Sequence, residues 1–196
     1  METKFFNYNN YFIDEKVNFF QFENEYKVYN DTGANIGAVK QKISVGQKIL
    51  SMLVNKAMLP FKLDFVNSDN VTEASISRGW TFFLSKISIN NSNGEQTAYI
   101  KQKFKLFKPT FTIYDLSDNF LAEISGDWKA WNFTIKDASG KEIGTISKKW
   151  AGAMQEMFTS ADKYLVTIDA GYTDQKNKTA ILAGAISIDM ILKESK

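Results

Sequence analysis

Residues 179–192 read TAILAGAISIDMIL, and this C-terminal run decides the fold. Asp189 is its one charged residue, and Lys193 ends the pattern. A bilayer-spanning helix needs roughly 20 mainly apolar residues, so the run is too short and too interrupted to cross a membrane comfortably. It is also too apolar for a surface helix, because a helix that is hydrophobic all round requires burial inside protein. We therefore predict a buried C-terminal helix over residues 173–192, which the rest of the chain must surround.

Hairpin units recur upstream of this run, each with an apolar strand, a polar turn and a second strand. The turns are rich in Asn, Asp, Ser and Gly, which tolerate the positive φ angles of tight hairpins. They are predicted at residues 30–33, 67–70, 90–94, 115–119 and 137–140. The flanking residues alternate in polarity, as at Phe133 and Ile135, which is typical of strands. Segments 19–22 and 164–168 are expected to add two more strands.

About twelve antiparallel strands, few prolines and no long linker predict an all-β fold, either a closed barrel or a large sandwich. The closed barrel also accounts for the C-terminal helix, which can fill its lumen. We expect one domain over residues 1–196, with an irregular segment over 1–16. Segments 47–58 and 150–158 have helical spacing and are predicted to cap the barrel ends. A membrane-surface role for the first is less favoured, because its polar face carries only two lysines.

The composition narrows the classes of function. The chain has no histidine and no cysteine, which removes the commonest general base, thiolate zinc sites and disulfides. An enzyme is therefore a distant third candidate. Arg78 is the one arginine and the net charge is +2, so nucleic acid is not an expected partner, because arginine makes most bidentate contacts to bases and phosphates. The N-terminus does not resemble a secretory signal, and the simplest location is cytoplasmic.

A row of lysines is the strongest local feature. Lys101, Lys103 and Lys105 alternate along one predicted strand, so their ammonium groups share a face opposite a mainly apolar one. Lysines near an anionic leaflet contribute about 1 kcal/mol each. The row therefore predicts a lipid-headgroup patch; the alternative is a solvated outer face that resists aggregation. Lys148 and Lys149 are a smaller candidate, of which only one can join a given face.

Residues 143–150 read IGTISKKW, with Phe-Thr at 158–159 and Ala-Asp at 161–162. Together with the apolar run at 180–189, this pattern resembles the phospholipid scramblase and LURP-one-related superfamily, whose fold is similar to the Tubby C-terminal domain. The hairpins extend the resemblance, more loosely, over residues 26–192. The resemblance implies a twelve-stranded barrel around a central hydrophobic helix, and phospholipid as the ligand.

Calcium is also associated with eukaryotic scramblases, which the resemblance implies have an acidic loop after the Phe-Thr pair. Here that loop spans residues 160–169, Ser160 stands at the first acidic position, and Lys163 follows Asp162. Calcium takes about six to eight oxygen ligands, usually from several carboxylates. Asp162 and Asp169 with a cation between them make a weak site, so we expect no cofactor and no calcium dependence. The proline-rich extension and cysteine cluster of animal members are missing, which favours a minimal, bacterial type.

The predicted barrel also implies surroundings for the four tryptophans and for Asp189. Trp80, Trp128, Trp131 and Trp150 are expected to pack in it, because large aromatic residues dominate core burial. Asp189 is costly to bury without a partner, so we predict that it lies near the helix end beside a lysine, a hydroxyl or solvent. If the helix instead entered a bilayer, Asp189 would be a functional residue by default.

These inferences predict a non-enzymatic module that binds anionic phospholipid or a hydrophobic small molecule at the cytoplasmic face of a membrane. Lys101, Lys103 and Lys105 would attract the anionic surface. A helix sequestered in a barrel cannot form a transbilayer path, so intrinsic scrambling ranks below peripheral binding. The alternative is a structural scaffold whose protein partner binds the helix predicted at residues 47–58.

Overall fold

The fold is a closed antiparallel barrel of twelve strands, seen in a computed structural model that describes residues 4–18, 23–43, 54, 58–81, 85–105, 108–149 and 163–194. Each strand pairs with its neighbours in sequence, and the first strand pairs with the last. One helix, α1 (Gln175–Glu194), follows the last strand. The predicted all-β barrel with a C-terminal helix is confirmed, and the helix bounds agree to within two residues.

The strands follow the predicted hairpins. They are β1 Asn10–Asn18, β2 Glu23–Tyr29, β3 Asn35–Gln41, β4 Phe61–Asn67, β5 Thr72–Arg78, β6 Lys86–Asn91, β7 Gln96–Lys105, β8 Lys108–Asp115, β9 Phe120–Asp127, β10 Asn132–Asp137, β11 Glu142–Ser147 and β12 Lys163–Ile168. The predicted hairpins are β2–β3, β4–β5, β6–β7, β8–β9 and β10–β11, and the predicted strand at 164–168 is β12.

The expectation for the N-terminus was wrong. Residues 1–16 were predicted to be irregular, but Lys4–Phe6 form a 3-10 turn and β1 begins at Asn10. Tyr11 and Ile13 alternate toward the core, and β1 bonds to both β2 and β12 to close the barrel. The strand predicted at 19–22 lies outside the described residues. The five hairpins and β12 account for eleven of the strands, and β1, which was not predicted, completes the twelve.

The five hairpin turns share one construction. A side-chain oxygen at the end of the first strand accepts hydrogen bonds from the backbone N–H groups two and four residues later, at 2.8–3.1 Å. The residues that supply it are Asn30, Asn67, Asn91, Asp115 and Asp137. The residue three positions later has a φ of 62–83°, and these are Gly33, Asn70, Gly94, Asp118 and Gly140. Gly, Asn and Asp accept this left-handed conformation, so the turn prediction is confirmed with its mechanism.

Helix α1 fills the barrel. Every residue from 180 to 191 is buried, as the all-round apolar pattern predicts. A Cβ added at Gly184 would lie 2.8 Å from Ile124 Cδ1, so glycine lets the helix lie close to the barrel wall. Within the described part of the chain, no helix is long and apolar enough to span a bilayer.

The two ends of the barrel differ. The turn end carries the five hairpin turns and the start of α1, where Lys178 Nζ donates to Asn9 Oδ1 at 2.8 Å. The loop end carries the β1–β2, β3–β4, β5–β6, β7–β8, β9–β10 and β11–β12 connections and the end of α1. The capping helices predicted at 47–58 and 150–158 belong to loop-end connections and lie almost entirely outside the described residues.

Candidate functional site

The predicted lysine row lies on the outer face of β7. Lys101 and Lys103 are exposed, whereas Ile100 points into the core, so the alternation is confirmed at these positions. Lys105 is the last residue of β7, where its backbone pairs with that of Lys108; its side chain lies outside the described residues.

Two stacked tyrosines form the floor beneath these lysines. The rings of Tyr99 on β7 and Tyr114 on β8 have centroids 5.3 Å apart and planes 20° apart. Lys86 Nζ lies 4.4 Å from the Tyr99 centroid. Lys101 Nζ lies 5.1 and 5.2 Å from the Tyr99 and Tyr114 centroids, and Lys103 Nζ lies 5.7 Å from that of Tyr114. These five residues, the lysine–tyrosine face, hold three ammonium groups over aromatic rings, an arrangement worth about 0.5–1 kcal/mol per exposed contact.

Sequence reasoning missed Lys86, Tyr99 and Tyr114 as parts of this face. Tyr99 is two residues before Lys101 on β7, so its side chain points to the same face of the strand. Alternation alone could therefore have placed Tyr99 on the lysine–tyrosine face. Lys86 and Tyr114 join the face through strand pairing, in which Lys86 is opposite Lys101 and Tyr114 is opposite Tyr99. That register depends on pairing between strands and cannot be read from either strand alone.

Tyr99 is fixed in place by an acid from the turn end. Its phenol O–H donates to Asp118 Oδ1 in the β8–β9 turn. This hydrogen bond is the main reason that the pKa of Tyr99 is raised to about 12. Only 4% of Tyr99 is exposed, because the lysines and Tyr114 cover its ring.

The second predicted lysine pair lies elsewhere. Lys148 and Lys149 follow β11, which is four strands away from β7 around the barrel, so the structure does not bring them together with the β7 row. Lys148 Nζ lies 4.8 Å from the Trp131 ring, which packs against Tyr164 with centroids 5.2 Å apart. Trp131 has a φ of 50°, a conformation that is rare for bulky residues. Lys149 is exposed, and its backbone N–H donates to Ser147 Oγ at 3.0 Å.

The structure describes one of the two calcium candidates. Asp162 lies outside the described residues. Asp169 follows β12 at the turn end, where its Oδ1 accepts the Gly171 N–H at 2.7 Å. Among the side chains that the structure describes, no group of three or more acids could hold a metal ion.

The tryptophan prediction is corrected at one position. Trp128 and Trp131 are partly buried and pack against the core, as expected. Trp80 does not: 53% of it is exposed, because it follows the end of β5, beyond the last strand pair. Trp150 lies outside the described residues.

Asp189 lies five residues before the end of α1 and is 1% exposed, so solvent does not reach it. Burial, and secondarily the nearby Asp189 carboxyl, hold the pKa of Tyr164 well above its usual value. The acid therefore lies near the helix end, as the sequence predicted, and its burial excludes solvent, one of the three surroundings predicted for it.

The one arginine has a structural role. Arg78 is 3% exposed, and its Nη2 donates to the Leu59 carbonyl at 2.7 Å. Its guanidinium lies 4.7 Å from the centroid of the Phe61 ring. Arg78 thereby ties the end of β5 to the segment that leads into β4.

Comparison with known proteins identifies the family of this chain. The family model described as Scramblase matches residues 13–194. The chain belongs to the Scramblase family. The resemblance noted from residues 143–150 and the apolar C-terminal run is thereby confirmed.

Individual relatives of this scramblase-family chain are distant. Human phospholipid scramblase family member 5 is 28% identical over 119 residues, which cover 57% of this chain and 44% of that protein. Human phospholipid scramblase 1 is 29% identical over 119 residues, covering 57% and 37%. A phospholipid scramblase family protein of Schizosaccharomyces pombe is 21% identical over 192 residues, covering 87% and 50%. These matches span half or less of each relative's length, and no solved structure gives a significant match.

Proposed function

We propose that this protein is a non-enzymatic module that binds anionic phospholipid peripherally, at the inner face of a membrane. The observation that carries the proposal is the lysine–tyrosine face, where Lys86, Lys101 and Lys103 present three ammonium groups over one aromatic stack. Each would contribute about 1 kcal/mol near an anionic leaflet. The relatives' names refer to phospholipid, which supports this class of ligand.

The lysines of the lysine–tyrosine face favour recognition of the negative charge of a membrane and not of one particular headgroup. Lysine acts as a point charge, whereas arginine's fork recognises phosphate geometry. The buried Arg78 is not available for such recognition. Binding should therefore follow the density of negative charge on the membrane and weaken as salt shortens the Debye length.

Peripheral binding ranks above intrinsic scrambling because α1 is part of the core. If α1 entered the bilayer, it would leave the barrel and expose its apolar lining to water. Burial of each large aliphatic side chain of that lining, such as Ile100, Ile113 or Ile124, is worth about 1.5–3 kcal/mol. The same contacts that hold the helix therefore oppose its release.

Vesicle flotation tests the proposal. The purified protein is mixed with phosphatidylcholine vesicles, with or without phosphatidylserine, at low and high salt, and with or without calcium. We expect flotation with the anionic vesicles at low salt, irrespective of calcium. The K86E/K101E/K103E variant should bind about a hundredfold more weakly, from about 1 kcal/mol for each lysine.

The matched control is K136E/K141E/K176E, which reverses three exposed lysines away from the face and should bind like wild type. If wild type floats with neither type of vesicle, the proposal is wrong, and the protein-interaction scaffold becomes the better hypothesis. Equal losses in the two triple variants would show that total charge, not this face, governs binding.

A further inference from the structure

We infer that the barrel docks end-on, with its loop end against an anionic bilayer and Trp80 in the interfacial layer. This inference rests on the proposed function and names the part of the molecule that meets the membrane. It joins three observations that lipid attraction alone does not require: an exposed tryptophan, the position of the other tryptophans, and the distribution of charge between the two ends.

Trp80 is the first observation. It is 53% exposed, although tryptophan is usually largely covered. The backbone that carries Trp80 is held in place, because Arg78, two residues earlier, is buried and donates a hydrogen bond to the Leu59 carbonyl. Tryptophan is enriched at membrane interfaces, where its apolar ring and polar N–H meet lipid and water respectively. An exposed indole on a fixed base therefore suits an interfacial anchor.

The other tryptophans strengthen the case. Every tryptophan whose side chain the structure describes lies in a loop-end connection: Trp80 between β5 and β6, and Trp128 and Trp131 between β9 and β10. Lysines accompany the latter two, with Lys129 Nζ 5.8 Å from the Trp128 centroid and Lys148 Nζ 4.8 Å from that of Trp131. Aromatic rings paired with long cationic side chains are typical of surfaces at the headgroup level.

Charge divides between the ends. Among the described side chains at the loop end, the exposed or half-buried cations are Lys42, Lys62, Lys86, Lys103, Lys129, Lys148, Lys149 and Lys163. Asp127 stands among them, and Asp64 and Asp14 pair with Lys42 and Lys163. At the turn end, the acids are Asp31, Asp69, Glu95, Asp115, Asp118, Asp137, Glu142, Asp169 and Asp174, and the fewer cations are Lys136, Lys141, Lys176 and Lys178. An anionic leaflet therefore attracts the loop end and repels the turn end.

The turn end supplies a matched control. Leu116 is 60% exposed, slightly more than Trp80, but it lies between the acids Asp115 and Asp118. If exposed apolar area alone decided docking, Leu116 would insert as readily as Trp80. End-on docking predicts that Leu116 stays in water.

The experiment uses the absence of native cysteine. Single-cysteine variants W80C and L116C of the full chain are labelled with an environment-sensitive nitrobenzoxadiazole dye and titrated with phosphatidylcholine vesicles that contain or lack phosphatidylserine. With the anionic vesicles, we expect the dye at position 80 to brighten several-fold and to be quenched by nitroxide-labelled lipid. The dye at position 116 should not respond. Circular dichroism verifies that both variants are folded.

An unlabelled pair guards against an effect of the dye. In flotation, W80S should bind about tenfold more weakly than wild type, the equivalent of about 1.4 kcal/mol, whereas L116S should be unchanged. A response at position 116 equal to that at position 80 would overturn end-on docking while leaving lipid binding intact, as would flotation with neither dye responding. Failure of wild type to float would refute the proposed function itself.

Discussion

The turn end and the loop end of this barrel use polar residues differently. At the turn end, the side-chain oxygens of Asn30, Asp115 and the corresponding residues of the other three turns accept hydrogen bonds from backbone N–H groups of their own turns. At the loop end, Lys129 lies over the ring of Trp128, and Lys149 is exposed. An ammonium group over a ring keeps hydrogens available for a ligand, whereas a capping carboxylate has largely satisfied acceptors. The comparison indicates that one end maintains the fold and the other is available for recognition.

The largest expected effect concerns glycines near the two ends. A Cβ at Gly37, on β3 beside the turn end, would lie 2.1 Å from the Val66 carbonyl oxygen, at a φ of 149°. A Cβ at Gly79, at the loop end, would meet nothing within 4 Å. We expect G37A to reduce the free energy of unfolding by about 3 kcal/mol or more, because backbone must shift. G79A should change it by less than about 0.5 kcal/mol. Denaturant unfolding measures both, and similar losses would contradict the comparison.

The loop end nevertheless has one strong internal anchor. R78A removes the guanidinium that binds the Leu59 carbonyl and lies over Phe61. We expect a loss of about 2–3 kcal/mol of stability, because a buried hydrogen-bonded cation is lost and a carbonyl oxygen is left without its donor. R78K should recover only part of it, because lysine lacks the planar fork. Thermal unfolding of the two variants tests this, and a neutral R78A would show that the Trp80 segment is held by other contacts.

The turn end should determine acid sensitivity. Hydrogen bonds from Asn119 and Ser139 hold the pKa values of Asp115 and Asp137 below their usual range. Since the folded pKa is depressed, this stabilisation is present above the ordinary aspartate pKa and is lost as pH falls through the lower, folded value. D115N/D137N keeps an acceptor oxygen, as Asn30 and Asn67 do naturally, but cannot titrate. We expect the variant to show a flatter decrease in melting temperature between neutral and acidic pH, and an unchanged slope would refute this assignment.

The smallest expected effect concerns the hydrogen bond from Tyr99, in the lysine–tyrosine face, to Asp118 at the turn end. In D118N, Tyr99 loses its charged acceptor, and we expect its pKa to fall from about 12 toward its ordinary value. Nuclear magnetic resonance or ultraviolet titration of the phenol measures this shift. Vesicle binding at neutral pH should be unchanged or slightly stronger, because an acid near the lysines has been removed. No change in the Tyr99 titration would show that burial, not Asp118, sets its pKa.

Sequence reasoning succeeded where the physics is local. Alternation placed Lys101 and Lys103 outside and Ile100 inside, because successive side chains of a strand point to opposite faces. It failed at Trp80, whose size predicted burial but whose position beyond β5 left it exposed. It also overlooked β1, whose alternating Tyr11 and Ile13 follow the same rule but come before the first hairpin.

The sequence by itself determined the elements of this protein: an all-round apolar helix, turns that accept positive φ angles, and strands of period two. Each depends on residues a few positions apart. The tertiary structure alone decided what these elements bring together. Pairing of β1 with β12 joins residues 149–157 positions apart and closes the barrel. The register of β6, β7 and β8 assembles the lysine–tyrosine face, and the alternating strand direction brings the described tryptophans to one end, because contacts between distant strands arise only when the sheet closes.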